Sequence, residues 1–148
     1  MNVRKATDQD IPTIVRFNAA MAQETEQLIL NQEILTNGVL RLFRQPEYGF
    51  YIVAESGGEV VGCLMITYEW SDWRNGLFWW IQSVYVKPEW RRKKVYSSMI
   101  NKIKEMAGED KDVIGFRLYV DKDNKVAQQT YRNQGMSPCH YLMFEELL

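Results

Sequence analysis

The segment Gln82–Ile100 constrains the fold of this chain more than any other stretch. It reads as a strand, a turn and then a helix. The strand that enters it, Leu77–Val86, is nearly all apolar, which is typical of a central strand covered on both faces, and Pro88 ends it. The sequence predicts that the helix opens on four cations, Arg91, Arg92, Lys93 and Lys94.

Four bases in the first turn of a helix are unfavourable by themselves. A helix N-terminus carries partial positive charge and N–H groups that have no acceptor within the helix. The arrangement becomes favourable when an anion lies at the helix end, because the N–H groups and the bases then attract the same charge. The segment therefore predicts a phosphate site, and the alternative is a solvated helix end that binds no anion.

The bulk composition is that of one globular domain, residues 1–148. Of these residues 46% are hydrophobic and 25% are charged, and the length allows a sizeable core. The net charge is −1, which argues against a nucleic-acid partner or a membrane surface, since both favour a basic excess.

The two cysteines, Cys63 and Cys139, form no CxxC pair, and His140 is the sole histidine, so no metal site is expected. Buried free thiols are the ordinary expectation for such cysteines. The chain shows no apolar N-terminal run and no stretch of 18 apolar residues. A reducing, cytoplasmic location is the expectation.

Hydrophobic periodicity and turn residues predict the remaining elements. A helix follows the capping residues Thr7, Asp8 and Asp10, and others cover Glu33–Arg44, the stripe from Val95 to Met106, and Asn124–Gln134, which Gly135 stops. Strands are predicted over Asn2–Ala6, Gly49–Glu55, Val60–Tyr68, Leu77–Val86, Val113–Val120 and Tyr141–Phe144. The order β-α-α-β-β-β-α-β-α-β predicts an α/β (α+β) fold with a mixed central sheet and helices on both faces.

This order resembles that of the GNAT superfamily of acyl-CoA-dependent N-acyltransferases, over essentially the whole chain. Three segments carry the resemblance. They are the strand-to-loop segment Val84–Arg91, the loop Arg91–Tyr96 at the family pattern Gln/Arg-x-x-Gly-x-Gly/Ala, and Asn124–Met136 at the pattern Asn-x-x-Ala-x-x-x-Tyr-x-x-x-Gly-Phe. Parts of the chain also resemble diamine and thialysine acetyltransferases.

The resemblance implies acetyl-CoA as the cofactor. It implies that the pyrophosphate lies on the N–H groups of Arg91, Arg92, Lys93, Lys94, Val95, Tyr96 and Ser97. The pantetheine arm would then lie along the backbone of Val84, Tyr85 and Val86 like an added strand, and Asn124 would reach the cofactor from the next helix start. Tyr131 matches the family's general acid, and the N–H of Val84 matches the oxyanion donor.

Two departures from the family pattern stand out. Lys94 and Tyr96 replace the two loop glycines. Glycine lets a backbone approach a phosphate closely, and direct phosphate contacts from Lys93 and Lys94 are expected to compensate for its loss. Gln82 occupies the position where many members of the resembled family carry a Glu that acts as the general base. A glutamine cannot take a proton. The proton of the amine then leaves through water or a carboxylate from elsewhere, or the amine arrives neutral.

The acceptor is predicted to be a small cationic amine. The carboxylates expected near it are Glu24, Glu26, Glu69 and Asp72, and Trp70, Trp73, Trp79 and Trp80 bracket the adjoining hairpin. Aromatic rings and carboxylates together suit a cation, although core packing and a partner interface explain the tryptophans equally. Members of the resembled family often dimerise, and the aromatic residues permit a homodimer.

Three functions are compatible with these features. The first is N-acetyltransfer from acetyl-CoA to a primary amine by direct attack. The second is a catalytically weakened protein that binds acyl-CoA or a partner, which the missing glycines and Gln82 favour and the retained Asn124 and Tyr131 oppose. The third, nucleic-acid binding through Arg91–Lys94, is disfavoured by the net charge.

Overall fold

The computed structural model describes residues 1–148, in two compact units, Met1–Leu118 and Tyr119–Leu148. The second unit contains one regular element, helix α4 at Lys125–Asn133. The first contains β1 Asn2–Lys5, α1 Ile11–Glu26, α2 Gln32–Arg44, β2 Gly49–Ser56, β3 Glu59–Ser71, β4 Gly76–Val86, α3 Val95–Gly108 and β5 Val113–Arg117. The predicted mixed α+β class is therefore confirmed.

The five strands form one sheet in the order β1-β2-β3-β4-β5. The first four pair antiparallel, and β5 pairs parallel to β4. The β2–β3 hairpin turns at Gly57 and Gly58, with φ of 58° and 80°. Both angles lie in the left-handed region that a two-residue hairpin turn requires and that glycine reaches without steric cost, as the sequence predicted.

Side chains alternate between the two faces of the sheet, and each face is covered by helices. Ile52 and Ala54 of β2 pack with α3 in a core cluster that includes Met99. Tyr51 and Val53 of the same strand pack instead with the buried residues of α1 and α2. This period of two confirms the prediction of helices on both faces.

Helix α3 begins at Val95, so the prediction that Arg91–Lys94 form its first turn is wrong. Arg92 and Lys94 both have φ of 63°, in the left-handed region. A residue in that conformation cannot continue a right-handed helix. The four bases therefore occupy the turn that leads into the helix.

The predicted strand Tyr141–Phe144 is also wrong, because residues 137–148 form no strand. Their apolar side chains are exposed, and Phe144 is 90% exposed. A strand needs a neighbour that satisfies its backbone N–H and C=O groups, and the sheet pairs only β1 to β5, none of which lies in these residues. The helix in this unit was predicted correctly, and Gly135 follows it with φ of 91°.

Candidate functional site

Strand β4 is interrupted by a bulge at Ser83. On the neighbouring strand, Cys63 pairs with Tyr85 and Met65 pairs with Gln82. Two residues of β4, Ser83 and Val84, therefore lie opposite the single residue between Cys63 and Met65, and Ser83 has φ of 50°. Such a bulge bends its strand and increases the local twist.

The pairing of β4 with β5 ends just before the bulge. The parallel pairing of these strands runs only from Leu77 to Trp80 on β4. Of residues 81–86 in β4, those outside the bulge pair with β3, and none of the six pairs with β5. This half of a central strand therefore presents an open edge, which can take an extended ligand by backbone hydrogen bonds.

The bulge also resets which side chains face α3. Trp79 and Ile81 pack into the cluster on that face before the bulge, and Val84 and Val86 pack against it afterwards. Tyr85 points to the opposite face, against Phe17 of α1, with ring centroids 4.9 Å apart. The three residues predicted to line the pantetheine arm, Val84–Val86, thus lie directly after the bulge on the open half of β4.

The basic turn has a backbone shaped for anions. Arg92 and Lys94 have positive φ and Lys93 between them does not. This alternation turns successive N–H groups toward one concavity, a geometry that recurs in phosphate sites. The intrahelical hydrogen bonds of α3 begin with the N–H of Ser98, which donates to the carbonyl of Lys94 at 2.9 Å.

The four cations of this turn differ in their contacts. Arg91 donates from Nε to the carbonyl oxygen of Val86 at 2.9 Å and from Nη2 to Glu24 at 2.7 Å. The ammonium of Lys93 lies 5.2 Å from the ring centroid of Trp90. The side chains of Arg92 and Lys94 are exposed and form no hydrogen bond or ion pair within the chain. The charged groups of Arg92 and Lys94 are therefore available to bind an anion.

The two residues at the expected glycine positions direct little of their bulk toward the turn. Lys94 takes the left-handed conformation in which glycine is favoured. Tyr96 lies in the first turn of α3, where its ring packs against the core on that face and its hydroxyl is buried. Most of the added bulk is thus directed into the core.

Glu24, near the end of α1, lies beside the C-terminal end of β4. Its Oε1 accepts from the hydroxyl of Tyr85 at 3.3 Å, and its Oε2 accepts from Arg91 at 2.7 Å. The guanidinium carbon of Arg91 is 5.6 Å from the Tyr85 ring centroid. Glu26, two residues further along the same helix, is exposed and forms no side-chain hydrogen bond or ion pair within the chain.

Gln82 lies directly before the bulge, on the open half of β4. Its Nε2 donates to Oγ1 of Thr67 on β3 at 2.6 Å. This hydrogen bond fixes the amide and leaves Oε1 as its accepting atom.

Glu69 and Asp72 lie at the other end of the β3–β4 hairpin. Glu69 pairs with Phe78 in the ladder, about 20 Å along β4 from Tyr85 at the usual strand rise. Asp72 orders the hairpin turn by accepting from the N–H of Trp73 at 2.8 Å. The four acids expected around one acceptor therefore fall into two groups, Glu24 with Glu26 and Glu69 with Asp72.

Glu69 is held by two donors. Nε1 of Trp80 donates to it at 2.8 Å, and Nη1 of Arg117 donates at 2.9 Å. The hydrogen bond from Trp80, followed by that from Arg117, keeps the pKa of Glu69 below its ordinary value. A carboxylate in this state is a poor acceptor of protons.

The four tryptophans around this hairpin occupy different environments. Trp79 is buried in the core, whereas Trp70 and Trp73 are exposed, Trp73 to 89%. Trp80 is half-buried against Glu69. Core packing therefore explains Trp79, and Trp70 and Trp73 form an aromatic surface at the tip of the hairpin.

Asn124 and Tyr131 belong to the unit Tyr119–Leu148. Asn124 caps α4, and its side-chain oxygen accepts from the N–H of Ala127 at 3.0 Å. Tyr131 is half-buried in that helix, and burial raises the pKa of its phenol. A phenol with a raised pKa keeps its proton at neutral pH, as a proton donor must.

Two features of the site were missed from the sequence. The bulge had a signal, since Gln82 and Ser83 are adjacent polar residues within an apolar strand. The contact of Glu24 with Tyr85 and Arg91 had none, because it joins residues more than sixty positions apart.

Comparison with known proteins gives one family and close structural neighbours. The model of the acetyltransferase (GNAT) family matches residues 14–136. The thialysine N-epsilon-acetyltransferase of Sus scrofa is 30% identical over 145 residues, which cover 90% of this chain and 82% of that protein.

Solved structures agree with this match. A possible acetyltransferase from Clostridium difficile 630 is 44% identical, with a TM-score of 0.93 over 99% of this chain and 97% of the other. A predicted acetyltransferase from Clostridium acetobutylicum, solved with acetyl-CoA, is 18% identical, with a TM-score of 0.78 over 97% and 95% of the two chains. The second likeness concerns the fold alone. In addition, no helix of the present chain is long and apolar enough to cross a membrane.

Proposed function

The chain belongs to the acetyltransferase (GNAT) family, and from that membership we propose that it transfers an acetyl group from acetyl-CoA to a primary amine by direct attack. One observation carries the proposal. Residues 81–86 of β4, around the bulge at Ser83, have no partner on β5, and shortly after them comes a turn whose N–H groups and cations favour phosphate.

The residues at the end of β4 fit coenzyme A. The pyrophosphate would be held by the turn Arg91–Lys94 and the first N–H groups of α3, Val95, Tyr96 and Ser97, with Arg92 and Lys94 as the uncommitted cations. The pantetheine arm would extend along Val84–Val86, and Asn124 is a further proposed contact. When bound, acetyl-CoA supplies an acetyl group activated as a thioester.

Two groups of the chain act on the reacting atoms in this proposal. The backbone N–H of Val84 would donate to the carbonyl oxygen and stabilise the negative charge that develops there. The phenol of Tyr131, which carries its proton at neutral pH, would give that proton to the departing sulfur.

The acceptor is proposed to be a small cationic amine. The carboxylates proposed to bind it are Glu24, which contacts the hydroxyl of Tyr85 on β4, and Glu26, two residues further along α1. Oε1 of Gln82 would accept a hydrogen bond from the amine. The similar protein from Sus scrofa is named for thialysine, an amine of this class, which supports the choice. Glu69 and Asp72 remain candidates for a longer acceptor that extends toward the hairpin.

A second candidate function is acyl-CoA binding without efficient transfer. It is favoured by Gln82, which occupies the expected position of a general base and whose amide is fixed by Thr67. Under this alternative the chain would bind acetyl-CoA and release little thiol with any amine.

Calorimetry with acetyl-CoA, followed by a thiol-release assay with several amines, separates the two candidates. Binding with amine-dependent thiol release supports transfer. Binding without release from any amine favours the second function, and absence of binding contradicts both.

A further inference from the structure

Arg91 differs from the other cations of its turn because an acid already holds it. Its Nη2 lies 2.7 Å from Oε2 of Glu24, and its Nε donates to the carbonyl oxygen of Val86. Glu24 is itself oriented by the hydroxyl of Tyr85. The guanidinium is thus bound to α1 on one side and to β4 on the other.

The same guanidinium opens the turn proposed to bind phosphate. The carboxylate of Glu24, beside that turn, neutralises one of its four cations. It also repels the negative charge of a phosphate, so Glu24 opposes phosphate binding. Both side chains are partly open to solvent, 45% exposed for Arg91 and 39% for Glu24. An ion pair at this exposure is weak and is readily exchanged for a stronger anionic partner.

We infer that Glu24 competes with the cofactor's phosphate for Arg91, and that cofactor binding frees the Glu24 carboxylate for a cationic amine. The inference rests on the proposed function, since it needs a phosphate-bearing ligand in the turn. Phosphate draws Arg91 away because it offers more charge and more acceptor oxygens than a carboxylate. Glu24, once freed, attracts an ammonium group.

Linkage makes this exchange reciprocal. If the cofactor raises the affinity for a cationic amine through Glu24, the amine raises the affinity for the cofactor by the same factor. Glu24 acts here as a positioning residue for Arg91 in the absence of cofactor and as an amine contact in its presence.

The sign of one substitution tests the competition. Glu24→Gln removes the carboxylate's charge and keeps its shape, so we expect CoA to bind about two- to fivefold more tightly, as an exposed ion pair allows. A merely structural role, in which Glu24 holds Arg91 ready for phosphate, gives the opposite result, weaker binding. Glu26→Gln is the matched control, because it removes the same charge from the same helix without a contact to Arg91, and its CoA affinity should change less.

The experiment is calorimetry of CoA with wild type, Glu24→Gln, Arg91→Gln and the double variant, with circular dichroism to establish that each is folded. In the Arg91→Gln background the tightening should disappear, since the shared partner is gone. Unchanged or weaker binding by Glu24→Gln, or tightening that persists without Arg91, overturns the inference while the proposed function stands. Absence of CoA binding by the wild type contradicts the proposed function itself, and with it this inference.

Discussion

The side-chain amide of Gln82 donates to the hydroxyl of Thr67 across the β3–β4 ladder, with Nε2 and Oγ1 2.6 Å apart. Gln82 lies directly before the bulge, on the open half of β4. The position at which the family resemblance places a general base is therefore held by a group that cannot take a proton.

A carboxylate at this position should supply the missing base. In Gln82→Glu the Thr67 hydroxyl can donate to the new side chain, so its orientation is retained. We expect the thiol-release rate at neutral pH to rise about tenfold or more, because a positioned general base contributes at least this much. The rate is measured against pH for both proteins, and an unchanged profile would show that the amine's proton leaves by a route independent of this position.

Lys94 keeps a left-handed backbone that costs a non-glycine residue about 1 kcal/mol. Lys94→Gly removes both this strain and the charge, whereas Lys94→Ala removes the charge alone. We expect the glycine variant to be more stable than the alanine variant by about 1 kcal/mol in urea unfolding. Equal stabilities would mean that the turn relaxes out of this conformation. Both variants should bind CoA more weakly than wild type if the Lys94 ammonium contacts phosphate.

Tyr131→Phe should separate catalysis from binding. Loss of a general acid should lower kcat by about a hundredfold, and CoA affinity by calorimetry should change little. Tyr119→Phe is the control, because Tyr119 lies in the same unit, is exposed and has no proposed role in the reaction. A kcat for Tyr131→Phe equal to that of the control would remove Tyr131 from the mechanism.

The two cysteines should differ sharply in reactivity. Cys63 is fully buried, as expected, whereas Cys139 is exposed, so the expectation of a buried thiol is wrong there. Burial raises the pKa of the Cys63 thiol to about 12. A thiol reagent at mildly alkaline pH should therefore modify one cysteine in the native protein and two in denaturant. In Cys139→Ser the fast native reaction should vanish, and its persistence would mean that Cys63 is accessible.

The same thiol predicts a loss of stability in base. Its folded pKa lies above its ordinary value of 9.0. The contribution to the free energy of unfolding is therefore complete below about pH 9 and is lost as the pH rises toward 12. Urea unfolding across this range should show that the free energy of unfolding declines. Measured from each protein's own value at neutral pH, the decline should be smaller in Cys63→Ala than in wild type. An equal decline in both proteins would assign the loss to other groups.

The sequence predicted the fold well where patterns are local. Alternation placed β2 and β3, and the glycine pair fixed their hairpin. Prediction failed where a residue takes an unexpected backbone conformation. Lys94 at φ of 63° moves the start of α3 to Val95, and no propensity assigns that conformation to lysine. The apolar pattern of Tyr141–Phe144 indicates a strand, but a strand forms only where a neighbour can pair with it.

The site was less predictable than the fold. The contact of Glu24 with Arg91 depends on how α1 packs on the sheet, which one sequence does not encode in any local pattern. The roles of Val84, Asn124 and Tyr131 came from resemblance and stay predictions.

The most direct measurement is mass spectrometry of amine products after incubation of the protein with acetyl-CoA and a panel that includes thialysine and linear diamines. We expect an N-acetylated product whose formation depends on the protein and falls in Tyr131→Phe. Binding of acetyl-CoA with no acetylated amine anywhere in the panel would contradict acetyl transfer to a small cationic amine.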